Sequence, residues 1–268
     1  MSEQRSTLAT CLVAPNSGPM TLDGTNTYVI RAPGSRTAVV VDPGPSVRGH
    51  INRIEALGPV DLVLLTHHHH DHAESATELS ERTGASVRAW EPTLCIGAGA
   101  LRDGETIVSA GARIVVIATP GHTSDSVCFQ LPDDRAVGSQ DRTGSILTGD
   151  TILGRGFTIL AQSENAVRDY LTSLESLRAL DDAQLVLPAH GPALPSLRVI
   201  ADEYLAHRRD RLAHISAALV QLDPHQLKDQ SVISAITDAV YPEVSDELRL
   251  AAEASTAAQL QYLADRRR

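Results

Sequence analysis

The run Thr66-His67-His68-His69-His70-Asp71-His72 follows directly on the apolar segment Val60 to Leu65. No other stretch restricts the fold as tightly. Read as His-x-His-x-Asp-His, it sets four metal-ligand side chains, His67, His69, Asp71 and His72, within six positions where a strand should end. Three isolated ligand-type residues have similar settings: His122 in Thr119-Pro120-Gly121-His122-Thr123, Asp150 in Leu147-Thr148-Gly149-Asp150, and His190 in Pro188-Ala189-His190-Gly191. Each follows an apolar β-type run, so the fold must bring several strand ends to one edge. Gly121, Gly149 and Gly191 flank the three ligands. Glycine there lets the backbone turn sharply and leaves room for ions and substrate.

First-row metal ions take imidazole nitrogen and carboxylate oxygen, and a working centre keeps one position open for water. His67 and His69, two apart in extended chain, point the same way and can chelate one ion. Asp71 and His72, where the next helix begins, can reach a second. His122 completes the first set, His190 the second, and Asp150 can give one oxygen to each ion. A water held between two dications loses a proton near neutral pH and becomes a nucleophile, with Asp71 placed to orient it and accept its proton. The pattern points to a metal-dependent hydrolase holding two Zn2+, and iron or manganese suits the same donors. His68 and His70 read as exposed, and His50, His207, His214 and His225 as surface or helix-face residues. Asn26 and Arg155 lie in loops expected to face the site, which makes them candidates for substrate contact. Thr123 and Ser124 read as turn residues.

The length of 268 residues allows a large core, and 42% hydrophobic content excludes general disorder. No apolar run approaches the roughly 20 residues of a membrane helix. Met1 to Thr10 is polar and unlike a signal peptide. A soluble, cytoplasmic protein without membrane partners is expected. Cys11, Cys95 and Cys128 are scattered and odd in number, which fits small buried or half-buried thiols in a reducing compartment rather than a disulfide framework. A net charge of -10 argues against a broad nucleic-acid-binding surface. The cluster Arg208, Arg209 and Arg211 reads as a solvated helix face, and Arg266-Arg267-Arg268 as a tail. Lys228 is the only lysine, so none serves the ligand-bearing region.

Strands are expected within 8–42, where Thr27 to Ile30 and Thr37 to Val41 are β-branched runs, and at 60–65, 113–118, 127–131, 146–148 and 185–187. A polar loop is expected at 132–145. Helices are expected from about Ser46 to Gly58-Pro59, at 72–82 with a stop at Gly84, and at 165–180. From about Ser196 the chain turns helical: Ile200, Tyr204, Leu212, Ile215 and Leu219 mark one long amphipathic helix, with shorter ones at 231–240 and 246–265.

Over residues 20–195 these features resemble the metallo-β-lactamase superfamily, with five motifs in order: the Asp42 turn, the His67 to His72 run, His122, Asp150 and His190. The resemblance implies an α/β fold, an αβ/βα four-layer sandwich over 1–195 with a dinuclear site at one edge. It also implies that Asp42 supports the metal ligands from behind. Three stretches are similar to the beta-lactamase-like protein 2 group: Thr21 to Tyr28, Thr148 to Gly156, and His190-Gly191-Pro192 followed by Tyr204 and His207-Arg208. That likeness implies a helical, winged-helix-like C-terminal domain over 196–268, ending at Arg268 where the group often continues into a strand or wing. It further implies a zinc-dependent endoribonuclease acting on single-stranded RNA. Hydrolases of the glyoxalase II kind share the seven ligands, so a small-molecule ester or thioester is the alternative substrate. Zinc β-lactamases differ in using a cysteine near the second metal and a lysine for the drug. Flavodiiron proteins have a glutamate where His69 stands, and persulfide dioxygenases have an arginine- and cysteine-containing segment that this chain lacks. A binding protein with a purely structural metal would close its site.

Overall fold

The computed structural model describes residues 2–138, 144–160, 163, 165–180, 184–219 and 229–266, with backbone alone at 218 and 219. Side-chain alternation sets the layers. In β4 (Ala38–Val41), Val39 and Val41 enter the core between two sheets, while Ala38 and Val40 face helices behind. In β5 (Val60–Leu64), Leu62 and Leu64 point inward and Val60 and Val63 outward. These two strands join β1 (Ser2–Gln4), β2 (Ala9–Val13), β3 (Asn26–Ile30) and β6 (Ser86–Arg88) in one sheet with the order β1-β2-β3-β4-β5-β6. Pairing is antiparallel up to β4 and parallel from β4 to β6.

The second sheet has the order β11-β10-β9-β8-β7, from β7 (Thr106–Ser109), β8 (Ala112–Ala118), β9 (Val127–Leu131), β10 (Ser145–Gly149) and β11 (Leu185–Pro188). Only the β10–β11 pair is parallel. Ile114, Val116, Phe129, Leu147 and Leu187 meet Tyr28, Val39, Val41 and Leu64 between the sheets. Each such fully buried side chain contributes about 1.5–3 kcal/mol.

Helices cover both outer faces. Ile51 and Ile54 of α1 (Arg48–Glu55) and Leu79 of α3 (Ala76–Thr83) cover the first sheet. Tyr170, Leu174 and Leu177 of α4 (Ala166–Arg178), with Tyr204 and Leu205 of α5 (Leu197–Leu219), cover the second. The result is the αβ/βα sandwich. Beyond it, Ile215 packs with Ile233, Ile236 and Val240 of α6 (Gln230–Val240) and Leu260 of α7 (Arg249–Asp265).

Two expectations change, and part of a third lies outside the described residues. The helix expected at 72–82 is two pieces, α2 (His70–Ala73) and α3. The break lies at Ser75, whose hydroxyl and N–H both donate to the Gly44 carbonyl, at 2.7 and 3.1 Å, in place of helical partners. Part of the expected polar loop at 132–145, together with His225, Lys228, Arg267 and Arg268, lies outside the described residues. The arginine cluster is not a solvated face. Arg208 is buried over the Tyr170 ring, Arg211 is half-buried over Tyr241, and only Arg209 is exposed. As expected, the three cysteines are free, Cys11 and Cys128 buried and Cys95 half-buried. No helix among the described residues is long and apolar enough to cross a membrane.

Candidate metal centre

Every ligand-type residue leaves the C-terminal end of a strand. The His67 to His72 run follows β5, His122 follows β8, Asp150 follows β10 and His190 follows β11. β8 and β10 run the same way because each is antiparallel to β9, and β11 is parallel to β10. The strand ends therefore open on one edge, and all seven expected residues meet there.

His67 Nε2 lies 2.9 Å from His69 Nδ1, which lies 3.1 Å from His122 Nε2. Opposite, His190 Nε2 is 3.2 Å from Asp71 Oδ2 and 3.4 Å from Asp150 Oδ1, and His72 Nε2 is 3.4 and 3.6 Å from the same two oxygens. Asp150 Oδ2 turns the other way, 3.5 Å from His122 Nε2. One carboxylate thus faces both sets with separate oxygens. The sets His67/His69/His122, His67/His72/Asp150 and Asp71/His72/His190 each keep their donor atoms within 4.8 Å.

The outer contacts fix which atoms face inward. His122 Nδ1 donates to Ile159 O at 2.8 Å and His190 Nδ1 to Gly24 O at 3.2 Å. Carbonyls only accept, so both rings carry a proton on Nδ1 and turn Nε2 to the centre. His72 Nδ1 is held by Asp42 Oδ2 at 2.8 Å. Asp42 also accepts from Thr66 N–H at 2.8 Å and Thr66 Oγ1 at 2.6 Å, and these bonds offset the strain of its φ of 48°. It thereby ties the start of the histidine run to the second set. His72 Nε2, His190 Nε2 and Asp150 Oδ1 are buried with no hydrogen-bond partner among the described residues. Buried polar atoms are rarely left so. Inward lone pairs on nitrogen and oxygen, without thiolate, suit divalent zinc, iron or manganese.

The two halves differ electrostatically. Burial, aided by the neighbouring imidazoles, holds His67 well below its ordinary pKa and His69 down to about 4. Burial also lowers His122, against the pull of Asp150. These rings are neutral lone-pair donors. Burial opposes charge on His72 and His190 too, but Asp150 and Asp42 raise the first, and Asp150 and Asp71 the second. Burial would raise Asp71 and Asp150, yet their contacts with His190 and His72 outweigh it and keep both ionised. That half of the site favours positive charge.

Several other assignments need correction. Asn26 is buried, and its amide donates to Pro188 O at 2.9 Å and Gly191 O at 2.8 Å. Both amide hydrogens are thus spent on the turn bearing His190, where a loop residue open to the site was expected. Arg155 borders a pocket, but its guanidinium is paired with Asp23 through two 2.8 Å contacts. His50 is buried against Thr27, and His207 is half-buried and stacks on Phe157. His68 is exposed as expected but bonded to Asp125 at 2.7 Å, while His70 and His214 are exposed. Gly121 and Gly149 make room for protein rather than ligand: a Cβ would lie 2.4 Å from Tyr170 Cβ at Gly121 and 2.7 Å from Thr66 Cβ at Gly149.

The sequence reading missed a pocket of about 290 Å³ that opens beside His122 and Asp150. Met20, Leu22, Leu153, Phe157, Val244 and Leu248 supply its apolar walls. One signal was available: Gly154-Arg155-Gly156-Phe157, just past Asp150, presents one of the chain's two phenylalanines on a glycine turn.

A family model for the metallo-beta-lactamase superfamily matches residues 20–190. The lactamase-like protein adaB of Aspergillus niger is 32% identical over 217 residues, covering 78% of this chain and 62% of that protein, so the chain spans less than two thirds of that relative's length. The beta-lactamase-like protein 2 homolog of Caenorhabditis elegans is 28% identical over 263 residues, covering 93% and 82%. A metallo-beta-lactamase family protein from Thermus thermophilus shares the fold, with a TM-score of 0.75 and 24% identity over 96% of this chain and 93% of that one.

Proposed function

The chain belongs to the metallo-beta-lactamase superfamily, whose members are largely hydrolytic metalloenzymes, and from that premise we propose that it is a dinuclear zinc hydrolase of an ester or thioester with an apolar acyl group. His67, His69 and His122 would hold one ion, Asp71, His72 and His190 the other, and Asp150 both. Bound there, the ions would polarise the scissile carbonyl and bring the pKa of a water near neutrality.

The chain's own groups do the rest. Asp71 is ionised and its side chain is 29% exposed, against 11% for Asp150, so it is the carboxylate that reaches the water to be oriented and accepts its proton. Asp42, Ile159 O and Gly24 O keep the imidazole rings in register. The pocket walls hold the acyl group beside His122 and Asp150 and exclude water.

The apolar pocket carries the choice of substrate. Single-stranded RNA, the substrate expected first from the sequence, needs free cations along its path. The arginines lining the pocket are Arg155, paired with Asp23, and Arg208, buried against the Thr158 carbonyl. In this reading the C-terminal unit over 196–268 closes a small-molecule pocket through Val244 and Leu248.

The test is a side-by-side assay of zinc-loaded protein on acyl thioesters of graded chain length and on end-labelled single-stranded RNA. Thioester hydrolysis that is absent in Asp150→Ala, with intact RNA, is the expected result. RNA cleavage without thioester hydrolysis would overturn the substrate reading and restore the ribonuclease.

A further inference from the structure

Asp150 leads into residues 151–160, which form no helix or strand. Yet this segment performs a task at the centre, because its Ile159 carbonyl fixes the proton of His122 on Nδ1. A stretch with no backbone ladder needs side chains to set its register.

They come from outside the sheets, on one face of α5, at the i, i+3 and i+4 positions 204, 207 and 208. Tyr204 Oη accepts from Leu153 N–H at 2.9 Å and donates to Gly156 O at 2.9 Å. The His207 ring stacks on Phe157, 3.5 Å between centroids and 4° from parallel. Arg208 donates through Nη2 to Thr158 O. The next carbonyl along the chain is the one that takes the His122 proton.

Arg208 is an unusual choice for a packing residue. It is 2% exposed, and its Nε has no hydrogen-bond partner among the described residues. Its neighbours are the Tyr170 ring, 5.2 Å away, and a carbonyl, and it forms no carboxylate pair among the described residues. Burying a guanidinium without a counterion is costly, and an apolar residue of similar volume would fill the space more cheaply. What an apolar residue could not do is grip the Thr158 carbonyl.

We infer that Arg208 is a positioning residue for His122: by holding Thr158 O it keeps Ile159 O where that carbonyl orients the His122 ring toward its ion. The inference rests on the reading of His67, His69 and His122 as one ion's ligands. It makes the C-terminal helix α5 a support of one half of the centre and not of the other, since the contacts of His72 and His190 run to Asp42 and Gly24.

The experiment is a metal titration of the full chain with Co2+, followed by its visible absorption, and with Zn2+ against a chromophoric chelator. In Arg208→Met one of the two sites should lose affinity roughly 10–100-fold, as for other residues that orient a metal-bound histidine, while the second site is unchanged. Arg208→Lys should recover part of the loss, because an ammonium can still donate to Thr158 O. Wild-type affinity at both sites in Arg208→Met, or equal loss at both with a fall in thermal midpoint, would overturn the inference. If Arg208→Met does not fold, Tyr204→Phe, which deletes one hydroxyl of the same clamp, should weaken the same site, and unchanged affinities there and in Arg208→Lys would overturn it. The titration needs no substrate, so selective loss supports the inference even if no thioester is hydrolysed. A wild-type chain that takes up fewer than two ions overturns this inference and the dinuclear reading together.

Discussion

The metal cluster and the pocket beside it are built on opposite plans. The cluster draws seven polar side chains from the ends of four strands, and each of the three histidines His72, His122 and His190 has its outer nitrogen tied to a fixed oxygen. The pocket takes apolar side chains from the N-terminal segment, the 151–160 loop and the C-terminal helical region. Its walls meet no directional requirement, only a shape. The difference separates two tasks. In the proposed function, bond cleavage would depend on atoms held in place by the sheet edge, whereas the choice of acyl group would depend on apolar area that loops and helices can vary. Changes in the cluster should therefore act on kcat and metal content, and changes in the pocket's apolar walls on KM.

The largest expected effect breaks the cluster at its shared member. Asp150→Ala removes the one carboxylate that faces both ligand sets. Activity should fall by about 10²–10³-fold or more, the scale seen when a group that stabilises developing charge is lost. Bound metal, read by elemental analysis, should fall at both positions. An Asp150→Ala protein with undiminished metal and activity would end the separation, because the cluster would then not be the seat of the chemistry.

The cluster was legible in the sequence and the pocket was not, for the same reason. A ligand set is defined by residue type at strand ends, so the His-x-His-x-Asp-His run, His122, Asp150 and His190 could be read from spacing. The sheets were legible too, through β-branched runs such as Thr37 to Val41. A pocket is defined by which distant apolar residues become neighbours. Met20 and Leu248 carry nothing in their local sequence that says they share a wall. Polar residues misled where burial redirected them: Asn26 and Arg208 spend their donors on backbone carbonyls, and His50 lies beneath the Asp42 turn.

His50 sharpens the comparison because it is a buried histidine that belongs to neither region. Thr27 Oγ1 donates its proton to Asp42 O at 2.7 Å, so His50 Nε2, 2.8 Å from Thr27 Oγ1, must donate to that hydroxyl, and His50 Nδ1 is buried without a partner among the described residues. Burial, with Arg53 nearby, pushes the ring down to about 4 from an ordinary 6.5. The folded state then binds fewer protons than the unfolded one between these values. The stabilisation is complete above pH 6.5 and is lost as the pH falls toward 4, amounting to about 2 kcal/mol between pH 7 and pH 5. Denaturant melts of wild type and His50→Gln at the two pH values should show the wild type losing that much more. Bound metal at pH 7 should be equal in both. Parallel pH curves would mean that His50 is solvated in the folded protein.

The smallest effect tests the pocket itself. Phe157 is 42% exposed at the rim, with one face stacked on His207 and its edge against Tyr204. Truncation to Ala removes part of one wall and the stack on His207, but the hydrogen bonds from Tyr204 and Arg208 still hold the loop, so every ligand of the cluster keeps its place. The apolar area that a bound acyl chain would lose corresponds to about 1–1.5 kcal/mol. KM for long-chain thioesters should therefore rise roughly tenfold, with kcat within about twofold, as expected when binding common to ground and transition state is removed. An acetyl thioester is too short to reach the rim, and its constants should not move. A fall in kcat on the acetyl substrate would show that the 151–160 loop transmits changes at Phe157 to His122. The pocket and the cluster would then be one device instead of two.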